Sequence, residues 1–209
     1  ILETTKPPVP QECRHLDYLF STPFRYRPYP AGSRFRRAGI TPGVWYGAAL
    51  PETAVAEIVF YRFLFFAESP LTPFPDGAAE YTAFAAELEA SVTLDLTTGA
   101  LAGDAARWRH PTDYGPCQSL ADTARDIGAG LIRYASVRDP VGGANVAVLT
   151  CAAFRSPLPV DRQTWRIRIS RTGAQAVCEH PRRGIEFPQV SFAADPRLAA
   201  MDWDRPRAR

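Results

Sequence analysis

Residues 43–66 read GVWYGAALPETAVAEIVFYRFLFF, and the fold class turns on them. Gly43 to Ala48 has the aromatic and β-branched content of a short strand. Pro51 stands where the first turn of a helix tolerates it, because the N–H it lacks would find no intrahelical acceptor there. The helix is expected from about Glu52 to Phe65, and because nearly every position from Ala54 to Phe66 is apolar it is expected to be buried on most sides. A strand running straight into an apolar helix points to a domain that mixes both elements.

The rest of the chain agrees with a mixed α+β fold. Tyr81 to Leu96 predicts one or two strands, and residues 97–114 a loop with a short helix. Gln118 to Ala129 predicts an amphipathic helix with Leu120, Ala121, Ala124 and Ile127 on one face. Leu131 to Tyr134 and Val146 to Ala152 read as strands around the turn at Asp139 to Asn145. Trp165 to Ser170, Ala174 to Cys178 and Ile185 to Phe187 read as short late strands. No G-x-G-x-x-G follows a strand, so a Rossmann site lacks support. The expected organisation is an N-terminal arm at 1–17, a single domain at 18–194 and a peripheral tail at 195–209.

The chain has 209 residues, 46% hydrophobic and 22% charged, with a formal net charge of +2. These values fit a globular domain without a global basic field. Lys6 is the only lysine, so the other cations are arginines, whose planar fork suits phosphates and carboxylates. Ile1 to Pro10 carries no apolar signal segment. The apolar run from Ala54 to Ala67 is too short for a membrane span and contains Glu57 and Arg62. A soluble, cytoplasmic protein is expected. Cys13, Cys117, Cys151 and Cys178 form no C-x-x-C pair. Four reduced, mostly buried thiols are expected, with no metal site.

Three places hold groups with chemical potential. Glu57 lies inside the apolar helix, where a carboxylate needs a partner or a purpose. It reads either as an edge-facing residue paired with a distant arginine or as a site carboxylate. In the segment from Phe24 to Arg37, five arginines interleave with four aromatics. That mixture suits a ligand with phosphates and flat rings, either a dinucleotide or single-stranded nucleic acid; a solvated basic loop is the plainer reading. Ser136 ends a strand before a turn and lacks the G-x-S-x-G setting of a hydrolase nucleophile. His15, His110 and His180 have no motif context.

Taken in order, short stretches of the chain resemble the RES domain, the toxin half of a family of bacterial toxin–antitoxin pairs. They are Thr22-Pro23-Phe24-Arg25-Tyr26, Gly32-Ser33-Arg34-Phe35, Val44-Trp45-Tyr46-Gly47-Ala48, Glu52 to Glu57, Leu94-Asp95-Leu96-Thr97 and Tyr134 to Pro140. The resemblance spans roughly residues 18 to 155. It puts the family's arginine, tyrosine, glutamate and serine on Arg34, Tyr46, Glu57 and Ser136, with Arg25 and Tyr26 as a further pair. It implies a fold similar to the ADP-ribosyltransferases, with a central split β-sheet flanked by helices and NAD held as substrate in a cleft. Family members cleave the nicotinamide–ribose bond by hydrolysis, phosphorolysis or transfer of ADP-ribose to a protein. The implied partner is a helix-turn-helix antitoxin of the Xre type that blocks the NAD cleft. A protein target of ADP-ribosylation is a further implied partner.

The implied roles suit the residue types. Charge develops on the ribose as nicotinamide departs, and Glu57 can stabilise it. Arg34 would bind the pyrophosphate or the nicotinamide ribose edge, with Arg25 a second candidate for the phosphates, and Tyr46 with Tyr26 would stack on the nicotinamide ring. Ser136 would bond the ribose or brace Glu57. The alternative is a nucleic-acid-binding module built on residues 24–37, which the near-neutral net charge disfavours.

Overall fold

A computed structural model describes residues 6–26 and 32–204. Its elements mix helices with antiparallel and parallel strand pairs, so the fold is α+β, as the sequence predicts. The described residues fall into two compact units. One draws on Ile1–Ala48, Ala85–Ala135 and Ala144–Val160, and the other on Ala49–Phe84, Ser136–Gly143 and Asp161–Arg209.

The first unit opens with helix α1 (Tyr18–Arg25), whose N-cap Asp17 accepts from the Leu19 N–H. The sequence reading gives no helix there. Four strands form its sheet: β1 (Trp45–Ala48), β3 (Thr93–Asp95), β4 (Leu131–Ala135) and β5 (Ala144–Val148), in the order β1-β5-β4-β3. Only β3 and β4 run parallel. A short helix α3 (Ala105–Trp108) and helix α4 (Gly115–Asp126) complete it. Helix α4 turns Cys117, Ala121 and Ala124 inward at helical spacing, against a core that includes Phe35, Trp108, Ile132 and Tyr134. Phe20, Trp45 and Phe154 make a second aromatic knot, with Phe20 stacked on Phe154 at 4.6 Å.

Cys13 and Cys151 are joined as a disulfide, with Cα atoms 5.3 Å apart and 138 positions apart in sequence. This corrects the expectation of four reduced thiols; Cys117 and Cys178 are free and buried. The pairing arises because the 3-10 turn Gln11–Cys13 meets the turn Cys151–Ala153, which no local spacing reveals. In the chain-entropy picture, closing so long a loop restrains the unfolded chain by about 5 kcal/mol. Cys13→Ser and Cys151→Ser are each expected to lower the melting temperature by a similar amount, and the double variant by no more. A melting point unmoved by reductant contradicts this.

The second unit is built on helix α2 (Pro51–Glu68). It buries Val55, Ala56, Val59, Phe60, Phe63, Leu64 and Phe66, while Tyr61 and Phe65 stay exposed. The helix is therefore less enclosed than its composition suggests. The buried face packs on a sheet in the order β2-β6-β7-β8, formed by β2 (Ala79–Ala85), β6 (Asp161–Ser170), β7 (Gly173–Cys178) and β8 (Arg183–Pro188). Strand β6 alternates strictly, with Trp165, Ile167 and Ile169 inward and Arg166 and Arg168 outward. Trp165 pairs with Cys178 and Ile167 with Ala176 in β7. Each large apolar side chain buried here contributes about 1.5–3 kcal/mol.

The tail from 195 is not peripheral at its start. Helix α5 (Pro196–Ala199) buries Leu198, and Met201 follows it into the same core. Asp195 caps α5, and hydrogen bonds from Arg197 hold its carboxyl below the usual carboxylate range. No helix among the described residues is long and apolar enough to cross a membrane.

Candidate active site

Helix α2 and the loop that leaves β4 bring Glu57 and Ser136 together. Ser136 lies one residue past β4 and is buried. Its Oγ donates to Glu57 Oε1 at 2.7 Å. The same oxygen accepts from the N–H groups of Arg138 at 3.2 Å and Asp139 at 3.0 Å. A serine hydroxyl has one proton to give, and here it goes to the glutamate. Ser136 is thus hydrogen-bonded to Glu57. Glu57 itself is half-buried.

Two residues that the sequence reading did not single out complete this arrangement. Thr53 precedes Glu57 by four positions and so lies on the same face of α2. Its Oγ1 donates to Asp139 Oδ2 at 2.7 Å. Asp139 also accepts from the Val141 and Gly143 N–H groups, each at 3.1 Å. The Ser136 N–H donates to the Gly143 carbonyl at 2.7 Å. Gly143 has no room for a side chain, because a Cβ would lie 2.0 Å from Thr53 Oγ1 and 2.4 Å from Asp139 Oδ2. The available signals were a threonine inside an apolar helix and an aspartate three residues after Ser136, followed by two glycines.

Arg34 and Tyr46 belong to the first unit. Arg34 is only 8% exposed. Its Nη1 donates to the Trp108 carbonyl at 2.6 Å and its Nη2 to the His110 carbonyl at 3.0 Å. The guanidinium also lies over the Tyr114 ring, 4.8 Å from its centre. Burial pushes the nearby Cys117 thiol up, and the charge of Arg34 opposes that shift.

Tyr46 closes the turn that carries Arg34. Its hydroxyl bonds Ser33 Oγ at 2.8 Å and accepts from the Phe35 N–H at 3.1 Å. Burial of the hydroxyl raises its pKa above the usual phenol value, against the pull of these bonds and of Arg36 and Arg125. The residue as a whole keeps 37% of its surface exposed.

Helix α4 holds the same turn from the other side. Gln118 donates to the Ser33 and Arg36 carbonyls, and Arg125 to the Phe35 carbonyl. Arg37 pairs with Asp122 at 2.7 Å and bonds Ser119. The arginine-rich segment is therefore partly consumed by internal bonds rather than being a free basic loop. Arg25 donates to the Pro7 carbonyl, and Tyr26 is exposed. Arg27 and Tyr29 lie outside the described residues.

No curated protein matches the chain. The RES domain profile matches residues 9–170. Arg34, Tyr46, Glu57 and Ser136 all fall inside that span, as do the Thr53–Asp139 and Ser136–Glu57 bonds that tie the loop after β4 to α2. On that match, which covers most of its length, the chain belongs to the RES domain family, a family known for NAD-related toxin activity.

Proposed function

We propose that the chain binds NAD and breaks its nicotinamide–ribose bond, with Glu57 as the central carboxylate. The observation that carries this reading is the Ser136 hydroxyl bond to Glu57 Oε1, which holds a carboxylate within the apolar run of α2. In the reaction the C1–N bond breaks, and its electron pair goes to the nicotinamide ring and neutralises its charge. Positive charge then spreads over the ribose C1 and ring oxygen, where a held carboxylate stabilises it. The acceptor bonds to C1 and gives up its proton. Tyr46, with Tyr26, offers ring surface to the nicotinamide.

Arg25 serves the phosphates. Arg34 acts mainly by holding the 108–114 segment, because its donors already meet two carbonyls. The acceptor is water, phosphate or a protein side chain. RES domain proteins generally pair with antitoxins, and an Xre-type helix-turn-helix antitoxin that covers the NAD site is the partner proposed here. The nucleic-acid reading loses support, since Arg34 and Arg37 are committed internally.

The cytoplasm is the compartment this reading calls for, and there the Cys13–Cys151 pair would meet a reducing thiol pool. The proposed activity therefore has to survive reduction of that bond.

The test uses NAD labelled in its ADP-ribose half, with and without phosphate and with cell lysate. Release of nicotinamide is expected. Free ADP-ribose, ADP-ribose 1″-phosphate or a labelled protein band identifies the acceptor. No nicotinamide release under any of these conditions refutes the proposal.

A further inference from the structure

Helix α2 grips the loop 136–143 twice from one face. Glu57 takes the hydroxyl of Ser136, and one turn earlier Thr53 gives its hydroxyl to Asp139. The two grips are not independent. Asp139 gives its own N–H to Ser136 Oγ, and its carboxylate takes the Gly143 N–H. Gly143 in turn accepts the Ser136 N–H through its carbonyl. Thr53, Ser136 and Asp139 are all buried, so water does not compete for these bonds. With the Arg138 and Asp139 N–H groups on its lone pairs, Ser136 Oγ has one direction left for its proton, and that direction is Glu57.

We propose that Asp139, acting through Thr53 and the loop 136–143, is a positioning residue that sets the orientation of the Glu57 carboxylate. The inference rests on the NAD-cleaving reading given above. A carboxylate is needed at 139 because both oxygens accept: Oδ1 takes the Val141 N–H, and Oδ2 takes the Thr53 hydroxyl and the Gly143 N–H. An asparagine would turn an N–H₂ group toward one of these fixed backbone donors. The lack of space for a Cβ at Gly143 keeps the loop at this close approach.

The test compares wild type, Asp139→Asn, Thr53→Val and Thr53→Ser on two readouts. Hydrogen exchange at the Ser136, Arg138 and Asp139 amides reports the loop, and steady-state nicotinamide release reports the carboxylate. Asp139→Asn is expected to speed exchange at these amides about tenfold or more, while amides in the middle of α2 stay protected. It is expected to lower kcat about tenfold with KM little changed. Thr53→Val is expected to follow it, and Thr53→Ser, which keeps the hydroxyl, to restore most of the rate. In a Glu57→Gln background, Asp139→Asn is expected to cost no further turnover, which a general loss of structure would not reproduce.

Exchange unchanged in both Asp139→Asn and Thr53→Val overturns the inference, and so does faster exchange with wild-type kcat. Either result, with an active wild type, leaves the NAD-cleaving reading standing. A wild type that releases no nicotinamide fails at that earlier reading and takes this inference with it.

Discussion

Glu57→Gln is expected to lower nicotinamide release from NAD by roughly 100- to 1000-fold, the scale of losing one preorganised charge-stabilising group. Glutamine keeps the volume, and its carbonyl can still accept the proton of Ser136. The bond from Ser136 therefore survives while the charge is lost. That is the quantity the proposed mechanism needs, because the departing nicotinamide leaves positive charge on the sugar. The variant is expected to melt within a degree or two of wild type, since residue 57 stays half-buried and hydrogen-bonded. Chromatographic assay of free nicotinamide and a thermal melt on the same preparation check both halves. A wild-type rate in a folded Glu57→Gln protein removes the carboxylate from the mechanism.

Arg34→Ala is expected to act on stability as much as on NAD. The substitution strips two carbonyls, those of Trp108 and His110, of a charged donor in a buried setting. Hydrogen bonds to charged groups contribute about 1.5–3 kcal/mol each, so a loss of about 3–5 kcal/mol is expected. For a chain of this size that corresponds to a fall in melting temperature of roughly 10 °C. Arg34→Lys is expected to recover only part of it. A single ammonium lacks the planar fork that reaches both carbonyls and lies over Tyr114. NAD affinity, measured by calorimetry at a temperature where the variant stays folded, is expected to fall as the 108–114 segment loosens. A melting point within about 2 °C of wild type would show that Arg34 is not the brace its bonds describe.

The strand-then-helix reading at 43–66 was legible because Pro51 marks the helix start and the apolar run has helical length. The late strands were legible from alternation, as in Trp165-Arg166-Ile167-Arg168-Ile169. Helix α1 was hidden because Pro23 and the aromatic–arginine mixture mask its period. The Glu57–Ser136 bond became an expectation only through the order of the RES motifs, since 79 positions separate the two residues. Thr53 and Asp139 escaped notice because their meaning is relational: each is an ordinary polar residue until the loop folds back on the helix. The cysteine pair escaped for the same reason. The burial of Arg34 against two carbonyls is invisible locally, because it depends on a segment more than 70 residues downstream.

The division of the sequence between the two units has a consequence for biosynthesis. Glu57 and Ser136 are both translated before residue 160, yet the wall on which α2 rests comes afterwards. Trp165, Ile167, Ile169, Ala174, Ala176, Cys178, Phe187, Phe192, Leu198 and Met201 all belong to that core. A ribosome-bound intermediate, or a product of premature termination near 160, would carry both site residues without the surface that holds their helix in place. On the NAD-cleaving reading proposed above, a chain cut near residue 160 is expected to release no nicotinamide, because the helix that carries Glu57 lacks these core partners.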